Sequence, residues 1–336
     1  MLQTVTDRGD LTNAPKRPLQ SIAQAVSRVV RTILSLLTFA ATIGLLSARS
    51  HAAEKIKVLT TFLPAYCVAA NVAGSAAHVE NLVPESTTPH DYQLTPSDVR
   101  RLNAAQVVVI NGLGLENWLQ KAFSSTAQNK RKIVELTIGL EKQLIAAEGE
   151  HDHAHGDDHH HHGHENPHTW LDPLLLAHGV TNVLNALVQA DPQHAETYRQ
   201  NARAYIDKLH ALDKSIADLL APVRAQPFVT YHNAFPYFAR RYHLQIAGVV
   251  QELPDVSPSP KYLANLSRDI RSKKVVAIFT ETQSPGRIAA RLAADLKLPT
   301  GQLSTLEGGA LTPAAYEEGM RKNAETLARI LSPHGK

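Results

Sequence analysis

The feature that most restricts the fold is a long amphipathic stretch in the middle of the chain. After Asp191-Pro192, apolar side chains recur at spacings of 7, 4, 3, 4 and 3 residues, at Tyr198, Tyr205, Leu209, Leu212, Ile216 and Leu219. This spacing predicts one apolar face along a helix of roughly 28 residues, about 42 Å long, that ends at Pro222. We expect a rod that joins two halves of the chain and limits hinge opening between them to a small rotation.

Short apolar runs alternate with helical stretches on both sides of this rod. The predicted strands are 56–62, 79–83, 107–110, 228–231, 244–250 and 275–280, and helical stretches follow at 288–296 and 313–331. Val107–Ile110 is continuously apolar, which is typical of a parallel strand covered on both faces. The pattern predicts an α/β fold with two Rossmann-like lobes bridged by one long rigid α-helix. The predicted bounds are 53–190 for the first lobe, 191–223 for the linking helix and 224–336 for the second lobe.

The first 52 residues predict a cleaved secretory signal peptide. Basic residues precede an uncharged run at 32–48, and Ser50-His51-Ala52 places small residues where cleavage after Ala52 requires them. An uncleaved anchor is the alternative, because 17 uncharged residues lie at the lower edge of a membrane span. No cysteine lies near the junction, so we expect a periplasmic protein of a Gram-negative cell without a lipid anchor.

Net charge and cysteine content argue against a nucleic-acid-binding protein and against a disulfide-stabilised one. The formal net charge is +3, but residues 1–52 carry a net +4, so the remainder is near −1. Without a basic footprint, we expect no nucleic-acid partner. Cys67 is the single cysteine, so the chain has no internal disulfide framework, and a small buried side chain is the favoured interpretation of Cys67.

Three histidines stand in turn-like settings next to Pro, Asn or Asp, either after strands or at junctions between loops and helices. They are His90, His168 and His232, and Glu307 is an acidic residue late in the second half. Three imidazoles and one carboxylate make a closed tetrahedral zinc site, and two ligands from each half would place the ion at their interface. Taken singly, each histidine is more often a satisfied polar residue or a helix cap than a ligand.

Three neighbours of these histidines are candidates to orient the imidazole rings by hydrogen bonds: Asp91, Asn166 and Asp172. Asp172 precedes Pro173, so it is equally well interpreted as the cap of the next helix.

A low-complexity tract at 151–164 holds eight histidines in fourteen residues: His151, His153, His155, His159, His160, His161, His162 and His164. Its composition predicts an auxiliary metal-binding loop, because it has no apolar residues with which to pack. Our hypothesis is a mobile, lower-affinity collector or sensor of metal. The alternative is a solvated insertion without a physiological role.

Several motifs occur in unbroken order between about Ile56 and Leu331. They are Leu82-Val83-Pro84, Pro89-His90-Asp91-Tyr92-Gln93-Leu94-Thr95-Pro96-Ser97-Asp98, Asn111–Leu119, Asn166–Pro173, Tyr198–Asn201 and Tyr231–Phe238. This series resembles the zinc and manganese solute-binding proteins of ABC transporters, in the zinc branch with a His-rich loop. The resemblance implies two lobes bridged by a rigid helix, with the metal between them.

The resemblance also implies ligands and a role. His90, His168 and His232 fall on the family's first three ligand positions, and nitrogen at the third position, where manganese-preferring members typically have a carboxylate, favours zinc. At the fourth position many members have Asp in a Leu-Asp-Pro-like turn, whereas this chain has Leu306-Glu307-Gly308. The implied function is high-affinity periplasmic capture of Zn²⁺ by a monomer that delivers it to an ABC importer permease with a cytoplasmic ATPase.

Other functions remain as alternatives. A zinc hydrolase would need an open coordination position and a general base, for which Glu281 or Glu252 would be the candidates. No Gly-x-Ser-x-Gly sequence or phosphate-cradling glycine loop is present, so we expect no enzyme. A periplasmic zinc buffer or metallochaperone without an importer, and a manganese-binding member of the same family, also fit the sequence.

Overall fold

The computed structural model describes residues 27–28, 30–32, 54–90, 92–120, 123, 131–147, 165–251, 257–282 and 286–332. Contacts divide the chain into two compact units, Met1–Glu54 and Lys55–Lys336. In the first unit, the described residues at 27–28 and 30–32 are helical. None of the helices within these ranges is both long and apolar enough to cross a membrane. The predicted cleavage site and the histidine tract at 151–164 lie outside the described residues.

The first half of Lys55–Lys336 is built on a parallel sheet. Its elements are β1 (Lys57–Thr60), α1 (Leu63–Ala73), β2 (His78–Asn81), α2 (Pro96–Ala104), β3 (Val107–Ile110) and β4 (Lys132–Glu135). The strands lie in the order β2-β1-β3-β4, and every neighbouring pair is parallel. All four residues of β3 are buried, as its continuous apolar run predicts.

Two helices connect the halves: α3 (Pro173–Ala190) and α4 (Ala195–Leu220). The 26 residues of α4 span about 39 Å. Short 3₁₀ turns flank α4 at Pro192–His194 and Ala221–Val223. The predicted apolar stripe is correct except at its last position, because Leu219 is 41% exposed and the fully buried residue is Leu220. A step of four residues from Ile216, rather than three, keeps the side chain on the buried face.

The second half repeats the arrangement with its own parallel sheet. Its elements are β5 (Pro227–His232), α5 (Pro236–Tyr242), β6 (Gln245–Gln251), α6 (Pro260–Ser272), β7 (Ala277–Glu281), α7 (Arg287–Leu296), β8 (Thr300–Leu303) and α8 (Ala315–Leu331). The strand order is β6-β5-β7-β8, again with parallel neighbours. The predicted α/β class with two lobes and a bridging helix is thereby confirmed, and the domain bounds at 52, 190 and 223 stay predictions.

One continuous hydrophobic core extends through both halves. It includes Val58 and Phe62 from the first half, Tyr205 from α4, and Phe228 and Leu327 from the second half. Helix α4 packs against α1 and α3 and against α8. Burial of apolar surface in a shared core resists separation of the halves.

Hydrogen bonds reinforce this contact between the halves. The Asn71 amide donates to the Pro313 carbonyl at 2.7 Å, and the Trp170 indole donates to the Thr305 carbonyl at 2.7 Å. The Tyr316 hydroxyl donates back to the Trp170 carbonyl at 2.7 Å. The halves therefore meet through a packed and bonded interface, which favours the small hinge motion expected from a rod-like linker.

Candidate metal centre

The four predicted ligand residues lie where strands and short turns end near the interface of the halves. His90 follows β2, and His168 precedes the 3₁₀ turn Thr169–Leu171 that leads into α3. His232 is the last residue of β5, and Glu307 follows β8. In open parallel sheets the carboxyl ends of the strands are the usual place for a binding site, because the loops there converge.

His90, His168 and Glu307 form one close group, and His232 approaches this group at His168. His168 Nε2 lies 3.4 Å from His90 Nε2 and 3.4 Å from His232 Nε2. Glu307 Oε1 lies 3.4 Å from both His90 Nε2 and His168 Nε2. Each of His90, His168 and Glu307 offers a ligand atom within 4.8 Å of the other two, and His232 adds to this group through its approach to His168.

The distances suit ligands around one small cation better than mutual hydrogen bonds. A tetrahedral Zn²⁺ with bonds of about 2.0–2.1 Å separates its ligand atoms by about 3.3–3.4 Å. Nitrogen atoms 3.4 Å apart lie beyond the usual hydrogen-bond range. Glu307 Oε1 is buried without a hydrogen-bond partner, which is costly for a carboxylate oxygen unless a cation is bound there.

Asn166 contacts His168 through both the ring and the backbone. Its side-chain oxygen lies 2.8 Å from His168 Nδ1 and accepts the His168 backbone N–H at 3.0 Å. Its amide donates to the Asn233 carbonyl at 2.6 Å, which links this loop to the second half. Because Nδ1 is engaged by an acceptor, the ring presents Nε2 to the other ligand atoms.

Glu281 has the corresponding role for His232, and sequence reasoning did not assign it. Glu281 Oε1 lies 2.5 Å from His232 Nδ1 and also accepts the His232 backbone N–H at 3.3 Å. The two residues end the neighbouring parallel strands β5 and β7. Part of the signal was available in the sequence, since each residue directly follows a predicted strand, 228–231 or 275–280, but the pairing also required the strand order.

Thr88 is a second contact that the sequence analysis missed. Its hydroxyl donates to Glu307 Oε2 at 2.9 Å, and it accepts the His90 backbone N–H at 3.3 Å. It therefore ties the fourth predicted ligand to the loop of the first. The bond also leaves Oε1, the unpartnered oxygen, directed toward the imidazoles.

Burial and mutual charge set the protonation of the cluster. Burial lowers the pKa of His168 to about 4, which keeps this imidazole neutral. Burial alone would also lower the pKa of His232, but the Glu281 carboxylate outweighs it and raises that pKa above its ordinary 6.5. Burial would raise the pKa of Glu307, but the imidazoles of His168 and His90 hold it well below its ordinary 4.5.

The remaining predicted residues have other outcomes. Asp172 caps α3, since its carboxylate accepts the backbone N–H groups of Leu174 at 2.9 Å and Leu175 at 3.4 Å. This is the capping interpretation that the sequence left open. Asp91 and the tract histidines His151, His153, His155, His159, His160, His161, His162 and His164 lie outside the described residues, as does Glu252.

One motif needs its structural context. Residues 164–168 spell His-Glu-x-x-His, the pattern by which zinc peptidases place two histidines on one face of a helix. Glu165 instead forms an antiparallel bridge with Ala146, and the described residues 165–168 are not helical. Without the helix, this stretch lacks the geometry on which the peptidase motif depends.

Comparison with known proteins shows that this chain is similar to zinc-uptake and zinc-binding proteins. The family model described as zinc-uptake complex component A, periplasmic (ZnuA), matches residues 58–330. The high-affinity zinc uptake system protein ZnuA of Bacillus subtilis (strain 168) is 32% identical over 280 residues, which cover 82% of this chain and 87% of that protein.

Two further relatives are longer. The zinc-binding protein AdcA of Streptococcus pyogenes serotype M3 is 32% identical over 296 residues, 84% of this chain, but the match spans only 57% of AdcA. The crystal structure of Zn(II)-bound AdcA from Streptococcus pneumoniae superposes with a TM-score of 0.68 at 29% identity, covering 84% of this chain and 59% of that one. The similarity thus covers the two-lobed part of this chain and little more than half of AdcA.

Proposed function

Because the chain belongs to the family of periplasmic zinc-uptake components, we propose that it captures Zn²⁺ in the periplasm and delivers the ion to the permease of an ABC importer with a cytoplasmic ATPase. The family role is that of a solute-binding protein rather than an enzyme, and the predicted signal segment at 1–52 would bring the chain to that compartment. The observation that carries the proposal is the convergence of the buried His168 and Glu307 with the half-buried His90 and His232.

The proposed ligands are Nε2 of His90, His168 and His232 and Oε1 of Glu307. Support comes from the four separations of 3.4 Å and from the unpartnered buried Oε1. Three nitrogens and one oxygen favour Zn²⁺ over Mn²⁺, since harder Mn²⁺ prefers more oxygen ligands. This donor set gives the zinc alternative precedence over a manganese-binding role.

Charge balance supports capture of a divalent cation. Glu307 contacts the ion position directly, and Glu281 acts through His232 Nδ1. Together, the Glu307 and Glu281 carboxylates compensate the two charges of Zn²⁺, which would be costly to hold without compensation away from water. His168 is already neutral, so Zn²⁺ displaces a proton chiefly where Glu281 favours one, at His232.

Delivery is tested by zinc uptake in cells that lack this gene. We expect the wild-type gene to restore the initial rate of radioactive zinc uptake at scarce zinc, and His232→Ala to leave it at the level of the deletion strain. His210→Ala, which alters an exposed histidine on α4, is the matched control and is expected to restore uptake. Unchanged uptake in the deletion strain, with normal zinc binding by the purified protein, would favour a periplasmic buffer instead.

Glu281→Gln is expected to weaken zinc binding by roughly 10–100-fold, because an outer partner of a metal-bound imidazole fixes its orientation and basicity. Competition with a chromophoric chelator measures the change. Glu318→Gln on the exposed face of α8 is the charge-matched control and is expected to bind as the wild type does. An affinity within twofold of wild type would show that His232 keeps its position without the Glu281 carboxylate.

A further inference from the structure

The segment Asn111–Leu119 touches both loops that carry the first two proposed ligands. The Trp118 indole donates to the Pro89 carbonyl at 2.7 Å, directly before His90. The Asn111 amide donates to the Pro167 carbonyl at 3.0 Å, directly before His168. One short segment therefore fixes, in each loop, the peptide that leads into the histidine.

Glu116 holds this segment in shape from within. Its Oε1 accepts the Thr61 hydroxyl at 2.7 Å and the Asn111 backbone N–H at 2.8 Å, and its Oε2 accepts the Gly112 backbone N–H at 3.2 Å. Gly112 and Gly114 have φ of +89° and +78°, so the turn takes a shape that the chain does not adopt by default. The Glu116 carboxylate closes this turn onto itself and onto the end of β1.

The hydrogen-bond pattern favours an ionised carboxylate. The backbone N–H groups of Asn111 and Gly112 can only donate to the Glu116 carboxyl group, one to each oxygen, so a proton on either oxygen would compete with an N–H group. None of the proposed metal ligands contacts Glu116 directly. Glu116 is 5% exposed. Among the described residues, its carboxylate is neither one of the proposed zinc ligands nor part of a salt bridge.

We propose that Glu116 is a positioning residue for zinc capture, whose carboxylate holds Asn111–Leu119 in the conformation that fixes the loops of His90 and His168. The inference rests on the proposed function, because its effect is read as zinc affinity. Glu116 acts on the two proposed ligands of the first half, His90 and His168. The third histidine, His232 at the end of β5, is held by Glu281 instead.

A pH dependence follows from the surroundings of this carboxyl group. Burial raises the pKa of Glu116 to about 7, although the Asn111 and Gly112 amides and the Thr61 hydroxyl oppose the change. The Glu135 carboxylate on β4 raises the pKa of Glu116 further. Glu116, Glu135 and Glu165 all line one cavity of about 380 Å³. Protonation near neutral pH therefore weakens the hold on the segment.

The test is the zinc affinity of wild type and Glu116→Gln at pH 8 and pH 6, by chelator competition that keeps weaker sites empty. The glutamine is neutral and carries N–H donors, as the protonated acid carries an O–H. At pH 8 we expect wild type to bind zinc about tenfold more tightly than Glu116→Gln, which is the lower end of the effect of outer partners of metal ligands. At pH 6 we expect the two affinities to agree within about twofold. Protonation of the ligand histidines affects both proteins alike and cancels in the ratio.

Glu317→Gln is the matched control, because burial also raises the pKa of this α8 carboxyl group, which accepts a hydrogen bond from Tyr205. Its affinity ratio to wild type is expected to stay near one at both pH values. An affinity ratio for Glu116→Gln that is the same at pH 8 and pH 6 would overturn the inference, since a purely structural defect does not follow the titration of Glu116.

If Glu116→Gln does not fold, Trp118→Phe replaces it, because this change removes only the indole donor to the Pro89 carbonyl. A several-fold loss of affinity at pH 8 supports the inference, and wild-type affinity overturns it. Failure of the proposed function has a different signature, namely that wild-type protein itself shows no tight zinc site at pH 8.

Discussion

Replacing His168 by Ala is expected to weaken zinc binding by more than a hundredfold, since even outer partners of metal ligands are worth roughly 10–100-fold. His168 is the hub of the proposed site, because its Nε2 lies 3.4 Å from His90 Nε2, His232 Nε2 and Glu307 Oε1. Its ring is buried and neutral, so its nitrogen is ready to bind zinc without first losing a proton. Chelator competition with Zn²⁺ measures the loss.

This measurement is designed to separate the buried site from the histidine tract. It compares His168→Ala with the exposed His210→Ala, each with and without residues 151–164. One tight site that survives tract deletion and is lost with His168 supports the interlobe site. Tight binding that disappears with the tract but persists in His168→Ala would place the functional site in the tract and contradict the proposal.

Zinc binding is expected to stabilise the folded protein by about 4 kcal/mol when free zinc is a thousandfold above the dissociation constant. For a unit of this size, that corresponds to a rise in the unfolding temperature of about 7 °C. The reason is linkage, because the four ligand residues come from distant parts of the sequence and converge only in the folded chain. Differential scanning calorimetry with and without Zn²⁺ measures the rise.

Two controls accompany the calorimetry. Mg²⁺ at the same concentration is expected to leave the unfolding temperature unchanged, since it prefers six oxygen ligands. His168→Ala is expected to lose the zinc-dependent rise, and excess chelator is expected to reverse it in wild type. A zinc-induced rise that persists in His168→Ala would assign the stabilisation to another group of residues.

The same stabilisation is expected to decrease as the pH falls. Zinc requires deprotonated imidazoles, and the Glu281 carboxylate raises the pKa of His232 above 6.5. Competition by protons at His232 therefore begins above pH 6.5, while His168, with a pKa of about 4, stays neutral until the solution is much more acidic. In the metal-free protein the sign for His232 is opposite, because its ion pair with Glu281 is fully present below pH 6.5 and is lost as pH rises through the raised pKa.

The sequence predicted what depends on local pattern. The four buried residues of β3 form a run that only a covered strand accommodates, and the three histidines stand beside Pro, Asn or Asp at the ends of elements. The local sequence could not decide whether these histidines are hydrogen-bonded polar residues or metal ligands. The resemblance to metal-binding proteins supplied the grouping, and in the structure His90, His168 and Glu307 lie together with His232 beside His168.

What the sequence did not predict depends on pairing across the fold. The bond between Thr88 and Glu307 joins residues 219 positions apart, and the contact of Glu281 with His232 follows from the adjacency of β5 and β7. The strands β4 and β8 were missed because each has four residues of mixed polarity at a sheet edge, where one side stays partly exposed. Neither these long-range contacts nor the short edge strands can be recognised from hydrophobic periodicity alone.

The core that runs through both halves also sets an order of events in time. Because the lobes share packing and hydrogen bonds such as that from Trp170 to Thr305, we expect no wide cleft to open when the ion enters. The His90 side chain is 19% exposed, whereas those of His168 and Glu307 are 4% and 5% exposed. At the proposed site we therefore expect an arriving ion to meet His90 before His168 and Glu307 and a departing ion to leave His90 last, so the motion of this loop is expected to govern how long zinc stays bound.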